Sequence, residues 1–208
     1  MIVVGAGSGT RFGGPKQFLD LAGERVIDRC VRIASGCAAG VVLVLPEGIE
    51  WDGPAVARVV AGGETRSASV RAGLASVPDD AEVIVVHDAA RPLATSALYE
   101  AVIAAVEQGS DGAVPALAVS DTVKRVRGSQ VMATMPRDDL VTVQTPQAFR
   151  AAAFRRAHTE GAEATDDAEL VATGGGVVVT VPGEEANMKI TNKGDLTRAA
   201  ALITGDHR

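Results

Sequence analysis

Three segments that lie far apart in the chain carry residue types suited to binding a nucleotide. The first is a glycine-rich stretch, 5–11, with Lys16 shortly after it. The second is an acidic stretch, 87–92, and the third is a short stretch with a lysine, 188–191. Backbone N–H groups, cations and a carboxylate that can hold a divalent ion are what a polyphosphate needs. The three segments together predict a nucleotide site.

The glycine-rich stretch directly follows an apolar run at the start of the chain. It therefore reads as the turn that leaves the first strand of an α/β sheet, where phosphates bind. Gly5, Gly7 and Gly9 let backbone N–H groups approach anionic oxygens that Cβ atoms would hold away. Arg11 and Lys16 add two full positive charges.

The glycine-rich stretch does not match the sequence patterns of two commoner phosphate-binding loops. The dinucleotide fingerprint requires a third glycine at the position of Thr10. The P-loop requires Gly-Lys-Ser/Thr, whereas Gly14 is followed by Pro15, Lys16 and Gln17. The loop taken alone also fits an ordinary glycine-rich connection with solvated cations, so the other segments must decide.

Asp88 follows an apolar run, 83–86, that predicts a buried strand. An acid at the carboxyl end of such a strand faces the ligand crevice of an α/β sheet. Mg²⁺ commonly takes one or two carboxylates plus phosphate oxygens, so Asp88 is our candidate ligand for Mg²⁺ or another divalent cation. The alternatives are that Asp88 caps a helix or pairs with Arg91.

The stretch 62–69 follows a predicted strand and opens a predicted helix. Its paired glycines and small hydroxyls would let a base or a ribose approach closely. The alternative is simpler, because Thr65 or Ser67 can serve as a helix cap.

Composition excludes several other classes of protein. Of 208 residues, 47% are hydrophobic, which is enough for a substantial core and argues against disorder. Aromatic residues are only 3% and the net charge is −6, so nucleic acid is an unsuitable partner. We find no membrane-length apolar run or signal segment and expect a cytoplasmic protein.

The sequence has no motif for a disulfide, a zinc site or a nucleophilic serine. Cys30 and Cys37 lie seven residues apart along a predicted helix, roughly 10 Å, which is too far for a disulfide. The three histidines do not stand at zinc-ligand spacing, and Ser8 is not part of a nucleophile elbow.

Predicted strands and helices alternate, which indicates a wound α/β sheet within a single domain, 1–208. Besides the first strand, strands are predicted at 41–45, 58–61, 83–86, 113–119 and 177–181, and helices at 25–34, 67–76, 96–107, 151–158, 166–173 and 195–203. The region 121–140 breaks the alternation and predicts a β-hairpin arm. A hairpin outside the sheet has too little core of its own, so we expect it to pack on a second copy of the chain.

Seven ordered motifs resemble those of the 2-C-methyl-D-erythritol 4-phosphate cytidylyltransferases of the non-mevalonate isoprenoid pathway. They span nearly the whole chain: Gly-Ser-Gly-Thr-Arg-Phe with Pro15-Lys16-Gln17, 63–70, His-Asp-Ala-Ala-Arg-Pro at 87–92, Asp-Thr-Val-Lys-Arg at 121–125, Gln-Thr-Pro-Gln at 144–147, Thr-Asp-Asp at 165–167, and Lys-Ile-Thr at 189–191. The resemblance implies transfer of CMP from CTP to the sugar phosphate, with release of pyrophosphate. It also implies a Rossmann-like fold with helices on both faces of a mostly parallel sheet, in a homodimer.

The resemblance assigns roles to individual residues. Arg11 and Lys16 would stabilise the transition state, as expected when negative charge is neutralised at an α-phosphorus. The residues that would position the acceptor are Arg91, Thr122, Arg137, Thr145, Thr165 and Lys189. The residues that would bind the nucleotide are Gly5, Ala6, Gly7, Gly63, Ser69, Asp88 and Ala89. The arm would reach into the site of the partner copy.

Departures from the family leave some alternatives open. Gly5 stands where the family commonly has alanine, and no clear second metal ligand precedes Asn187. A cytidylyltransferase for another polyol phosphate, such as ribitol 5-phosphate, shares the loop and the acidic strand end. A nucleotidyltransferase for sugar 1-phosphates and a binding module that holds CTP without turnover are more distant alternatives.

Overall fold

The computed structural model describes residues 1–10, 12–159, 161 and 163–205. Helices surround a mixed sheet of eight strands, and two small two-stranded sheets stand apart from it. The strands are β1 (Ile2–Val4), β2 (Asp20–Leu21), β3 (Glu24–Arg25), β4 (Val42–Leu45), β5 (Arg58–Ala61), β6 (Val83–Asp88), β7 (Gly112–Ala118), β8 (Val123–Arg127), β9 (Gln130–Met135), β10 (Val141–Val143), β11 (Gln147–Arg150) and β12 (Val178–Pro182). The helices are α1 (Val26–Gly36), α2 (Arg66–Leu74), α3 (Ser96–Glu107), α4 (Ala151–Ala157), α5 (Asp167–Thr173) and α6 (Lys193–Thr204).

The sheet has a parallel half and a mixed half. In the parallel half, β5, β4, β1 and β6 lie side by side. In the mixed half, β11 runs antiparallel between β6 and β7, and β7 also pairs with β10 and with the parallel β12. The carboxyl ends of β1 and β6 meet at one edge, which brings the glycine-rich stretch next to Asp88.

Alternating residues of the central strands bury two separate cores, because successive side chains of a strand point to opposite faces. Val3, Leu43 and Val85 pack with α1 and α3 on one face. Ile2 and Val86 pack with α2, α4 and α5 on the other. The sheet is therefore covered on both faces, and the predicted α/β fold is confirmed.

Side-chain caps fix where four helices begin. Thr65, Thr95, Asp166 and Asn192 each accept a hydrogen bond from a backbone N–H of the first helical turn. These contacts satisfy donors that have no partner inside the helix. Within the described ranges, no helix has the length and the apolar character that a bilayer crossing requires.

The predicted arm is a separate hairpin, in which β8 pairs antiparallel with β9. Its side chains are mostly exposed, and Val126 and Val131 are 56% and 59% accessible. Apolar exposure of this kind on an element outside the main sheet is typical of a surface that packs on another one.

The sequence did not predict β10 and β11. Both are short, and β11 reads Gln-Ala-Phe-Arg, which has too few β-branched residues to stand out. Their pairing with β7 is antiparallel and depends on contacts between distant segments. Cys30 and Cys37 are free, as expected from their spacing.

Candidate active site

A cavity of about 520 Å³ opens at the carboxyl ends of β1 and β6. Four separate parts of the chain line it: the glycine-rich loop with Lys16, the start of α2 with the residues before it, the end of β6, and Lys189. The lining residues are Val4, Gly5, Ala6, Gly7, Ser8, Gly9, Lys16, Gln17, Gly63, Glu64, Thr65, Arg66, Ser69, Asp88, Ala89, Ala90 and Lys189. The three segments singled out in the sequence therefore share one cavity.

The glycine-rich loop is held in shape by a buried glutamine. The Gln17 Nε2 donates hydrogen bonds to the carbonyl oxygens of Gly5, at 2.8 Å, and Gly7, at 3.1 Å. Gly9 has φ +67°, and a Cβ there would collide with the carbonyl oxygen of Gly14. A Cβ on Gly7 would instead meet no protein atom within 4 Å. The turn is thus preformed, and its open side faces the cavity.

Asp88 lies buried at the end of β6 between two cations. The Arg66 Nε is 3.2 Å from its Oδ1, and the Lys189 Nζ is 2.6 Å from its Oδ2. Burial by itself would raise the pKa of Asp88, but the charges of Arg66 and Lys189 outweigh burial and hold that pKa well below its usual range. The carboxylate is therefore ionised at neutral pH. The guanidinium of Arg91, the partner considered from the sequence, donates elsewhere.

The backbone of Asp88 is fixed from behind by a buried relay. The Asp88 N–H donates to the Thr145 Oγ1 at 3.0 Å, and Thr145 lies 3.2 Å from the His87 Nδ1. The His87 Nε2 lies 3.1 Å from the carbonyl oxygen of Arg91. Burial lowers the pKa of His87 to about 4. A neutral ring that donates from Nε2 to that carbonyl and accepts the Thr145 hydroxyl proton satisfies every contact.

Lys189 is placed at the cavity by the segment 187–190, which packs near the end of β6. The Ile190 N–H donates to the carbonyl oxygen of Ala90 at 2.8 Å. Asn187 is fully buried, and its amide donates to the Gln144 Oε1 and to the carbonyl oxygen of Thr145. This packing holds the backbone on either side of Lys189 against the end of β6.

The predicted site residues divide into two groups. Gly5, Ala6, Gly7, Lys16, Gly63, Ser69, Asp88, Ala89 and Lys189 lie together in the cavity lining. Arg91, Thr122, Arg137, Thr145 and Thr165 lie outside that lining. Arg11 lies outside the described residues, so its predicted role stays a prediction.

The five residues outside the lining make other contacts. The Arg91 guanidinium donates to the carbonyl oxygens of Asn187 and Val143. The Thr145 hydroxyl accepts from the Asp88 N–H as part of the relay behind Asp88, and the Thr165 hydroxyl donates to Glu169.

Thr122 and Arg137 are both exposed and belong to the region 121–140. Thr122 immediately precedes β8, and Arg137 follows β9 and donates to the carbonyl oxygen of Ser120. Neither reaches the cavity of its own chain.

Sequence reasoning missed Arg66 and Gln17. Both lie inside motifs that were recognised, but their roles depend on folding. Arg66 is 22 residues from Asp88 in sequence, and an arginine at this position does not by itself indicate which carboxylate it will contact. Thr65 caps α2, which confirms the capping interpretation of 62–69. Gly63, Thr65 and Ser69 also line the cavity, and the approach of a base or a ribose there stays a prediction.

The donor set suits a magnesium ion that is also bound to phosphate. Among the described residues, Glu64 and Asp88 are the carboxylates that line the cavity, and no group of three or more potential ligands gathers. Mg²⁺ rarely takes a full protein cage and completes its shell with phosphate oxygens and water. A carboxylate has about four lone-pair sites, so Asp88 can coordinate an ion while it accepts from Arg66 and Lys189.

Comparison with known proteins points to one family. The sequence profile of IspD, 2-C-methyl-D-erythritol 4-phosphate cytidylyltransferase, matches residues 1–205. A 2-C-methyl-D-erythritol 4-phosphate cytidylyltransferase of Rhodococcus opacus is 42% identical over 212 residues, with 97% of this chain and 93% of that protein covered. The crystal structure of the Thermus thermophilus cytidylyltransferase superposes with a TM-score of 0.86 at 36% identity, covering 98% of both chains.

Other curated relatives are longer. A bifunctional enzyme IspD/IspF of Clavibacter michiganensis is 41% identical over 223 residues, which cover 99% of this chain but 54% of that protein. The chain thus spans about half the length of the bifunctional relatives that it matches.

Proposed function

Since the chain belongs to the 2-C-methyl-D-erythritol 4-phosphate cytidylyltransferase family, we propose that it transfers CMP from CTP to 2-C-methyl-D-erythritol 4-phosphate. The products are 4-diphosphocytidyl-2-C-methyl-D-erythritol and pyrophosphate. One observation carries the proposal: a single cavity joins a preformed glycine loop with Lys16 to Asp88 and Lys189.

The cavity suits the two ends of the nucleotide. Backbone groups of the loop around Gly7 approach the phosphates, because no Cβ blocks them. The base and ribose lie toward Gly63 and Ser69, where small residues leave room. Ala89 at the end of β6 completes this side of the nucleotide site.

The reaction is an in-line displacement at the α-phosphorus. An oxygen of the acceptor phosphate forms the new P–O bond, and the bond to pyrophosphate breaks. The acceptor phosphate is already anionic at neutral pH, so the chain needs no strong general base. Lys16 and Arg11 neutralise the negative charge that develops as pyrophosphate departs.

Lys189 positions the acceptor phosphate next to the nucleotide. An ammonium group has three donors, so Lys189 can keep its hydrogen bond to Asp88 and still meet a phosphate oxygen. Holding two anions in reacting geometry is a large part of such catalysis. Mg²⁺, when bound at Asp88, would supply further neutralisation of the phosphates.

The acceptor side of the site would be completed by a second copy. Thr122 and Arg137 are exposed on the arm and do not reach the cavity of their own chain. The apolar side chains of the arm favour packing on a partner, and a homodimer is the economical solution. Arg91, Thr145 and Thr165 would support that side from within the chain. We place the enzyme in the cytoplasm.

Pyrophosphate release tests the proposal. Purified protein with CTP and Mg²⁺ is expected to release pyrophosphate with 2-C-methyl-D-erythritol 4-phosphate and to do so far more slowly with ribitol 5-phosphate. Release with ribitol 5-phosphate alone would change the substrate and keep the mechanism. Measurable CTP binding without release from either acceptor would contradict the proposed activity and favour a binding module.

A further inference from the structure

A line of side chains runs from the cavity wall at Arg66 to the buried Asp167 and His158, and the reaction as proposed above does not use it. Arg66 contacts Asp88 through Nε and Asp167 through Nη1, at 3.2 and 2.8 Å. The other oxygen of Asp167 lies 3.1 Å from the Nε2 of His158, whose ring packs 4.2 Å from that of Phe154. Arg66, Asp167 and His158 form what we call the brace. It links the end of α4 and the start of α5 to the end of β6.

Stability does not explain the brace. The side chains of Asp167 and His158 are 1% and 0% exposed, and a buried ion pair is often no more stable than apolar residues of the same volume. Arg66 is also the first residue of α2, where a positive charge opposes the helix dipole. A cation is therefore kept at a position where helix stability disfavours it.

The geometry of Arg66 restricts Asp88. A guanidinium is a rigid planar fork; Arg66 donates a hydrogen bond to Asp88 through Nε and makes a close ion contact with Asp167 through Nη1, so two carboxylates restrict its position. Because Asp167 holds Arg66, the Oδ1 of Asp88 is directed toward Arg66. The Oδ2 of Asp88 then faces Lys189. Arg66 itself lines the cavity, at the wall that also carries Glu64 and Thr65.

Weaker contacts tie the same two regions together. The Thr65 hydroxyl and the Arg71 guanidinium both donate to Glu163, and Ser67 is in contact with the backbone of Ala164. The two hydrogen bonds to Glu163 are exposed to solvent, so each contributes little. The ion pair of Arg66 with the buried Asp167 is the strong connection, because the Asp167 side chain is only 1% exposed.

We infer that Arg66 is a positioning residue of the reaction, held in place by Asp167 and His158, and that it sets the direction of the Asp88 carboxylate. The inference deepens the proposed function and rests on it. Asp167 acts on turnover only through Arg66. Loss of either charge turns Asp88 away from its working direction, and turnover falls more than nucleotide affinity.

The test compares Asp167→Asn, Arg66→Lys and their double variant with the unmodified protein. Asp167→Asn keeps shape and loses the charge, whereas Arg66→Lys keeps the charge and loses the fork. Each single variant is expected to lower kcat by about 100-fold, the scale of a small misplacement of a reacting group. The dissociation constant of CTP, measured calorimetrically without acceptor, should change less than about threefold. The double variant should be no slower than the slower single variant.

Two controls separate positioning from folding. Asp52→Asn removes an acid that pairs with Arg25 but is 79% exposed and outside the cavity lining, so it should leave kcat unchanged. Arg66→Gln with Asp167→Asn leaves no unpaired charge between these two positions, so it should fold even where a single variant does not. That paired variant should still show the loss of kcat.

The outcomes are distinct. Wild-type kcat in the paired variant, or additive losses in the double variant, would overturn the brace while the proposed function stands. No pyrophosphate from the unmodified protein would refute the proposed function and, with it, the brace.

Discussion

The cavity and the arm are built in opposite ways. Key polar groups of the cavity pair within one chain: Gln17 holds the loop, and Arg66 and Lys189 pair with Asp88. The arm has its own two-stranded ladder, but Val126 and Val131 are largely exposed. The cavity is preorganised for its ligand, whereas the arm presents apolar surface that its own chain does not cover.

The difference suggests a division of labour. We expect one copy to bind a nucleotide by itself, because its own segments already join the glycine-rich loop to Asp88 in one cavity. The acceptor would require the arm of another copy, because Thr122 and Arg137 lie outside the cavity of their own chain. Changes in the cavity should therefore act on chemistry and local stability, and changes in the arm should act on assembly.

The largest expected effect is that of Lys16→Ala on the cavity. Loss of this cation should lower kcat by about 100- to 1000-fold, because it removes charge stabilisation in the transition state. The dissociation constant of CTP should rise much less. Steady-state kinetics and calorimetry measure the two quantities, with the surface change Lys193→Ala as the control. Equal losses in binding and in kcat would contradict a transition-state role.

The buried His87 makes the free energy of unfolding depend on pH. In the folded protein burial lowers the pKa of His87 to about 4, against about 6.5 in an unfolded chain. Between these values the unfolded chain binds a proton that the folded chain does not, so stability falls as the pH falls from about 6.5 to about 4. The loss from this group approaches about 3 kcal/mol and grows no further below pH 4.

Urea denaturation of the unmodified protein and of His87→Gln between pH 4 and pH 7 measures this loss. The variant should show a smaller dependence on pH. Equal slopes in the two proteins would show that His87 is not the group responsible.

Thr145→Val sharpens the same comparison with a smaller effect. Valine keeps the shape but removes the hydroxyl, which leaves the Asp88 N–H and the His87 Nδ1 without that partner. The free energy of unfolding should fall by about 1–3 kcal/mol. Thr145→Ser, which retains the hydroxyl, should lose less. If valine and serine cost the same, the relay does not stabilise the site.

The smallest expected effect on the cavity comes from the arm. Val131→Asp places a charge on its exposed apolar surface and should shift the protein toward monomers in sedimentation experiments. The affinity for CTP should stay within about twofold, because the side chain lies outside the cavity lining. A large loss of CTP binding would show that the two regions are not separate.

The sequence predicted the parts of the fold that follow local rules. The helix at 96–107 was placed at its observed bounds, since a Thr cap and a helical run mark it. The arm was also recognised, because alternating residues and a polar turn stood outside the α/β rhythm. β11 escaped because tertiary pairing, rather than propensity, makes it a strand, and β10, although β-branched, is only three residues long.

The candidate site was predictable as a set of segments but not as a set of contacts. Lys16, Asp88 and Lys189 were named from motifs and do line one cavity. The pairing of Asp88 with Arg66 and Lys189 spans 22 and 101 residues, and no local pattern encodes it. Thr145 was named for the acceptor, yet its hydroxyl is engaged behind Asp88.

Subunit complementation tests the division of labour most directly. Lys16→Ala disables the cavity, and Arg137→Ala disables the arm, so each protein alone should be nearly inactive. Mixed dimers would contain one site with an intact cavity from one chain and an intact arm from the other. Equal mixing with full exchange should restore about a quarter of wild-type activity. Mixtures that form heterodimers and remain inactive would contradict a site shared between two chains.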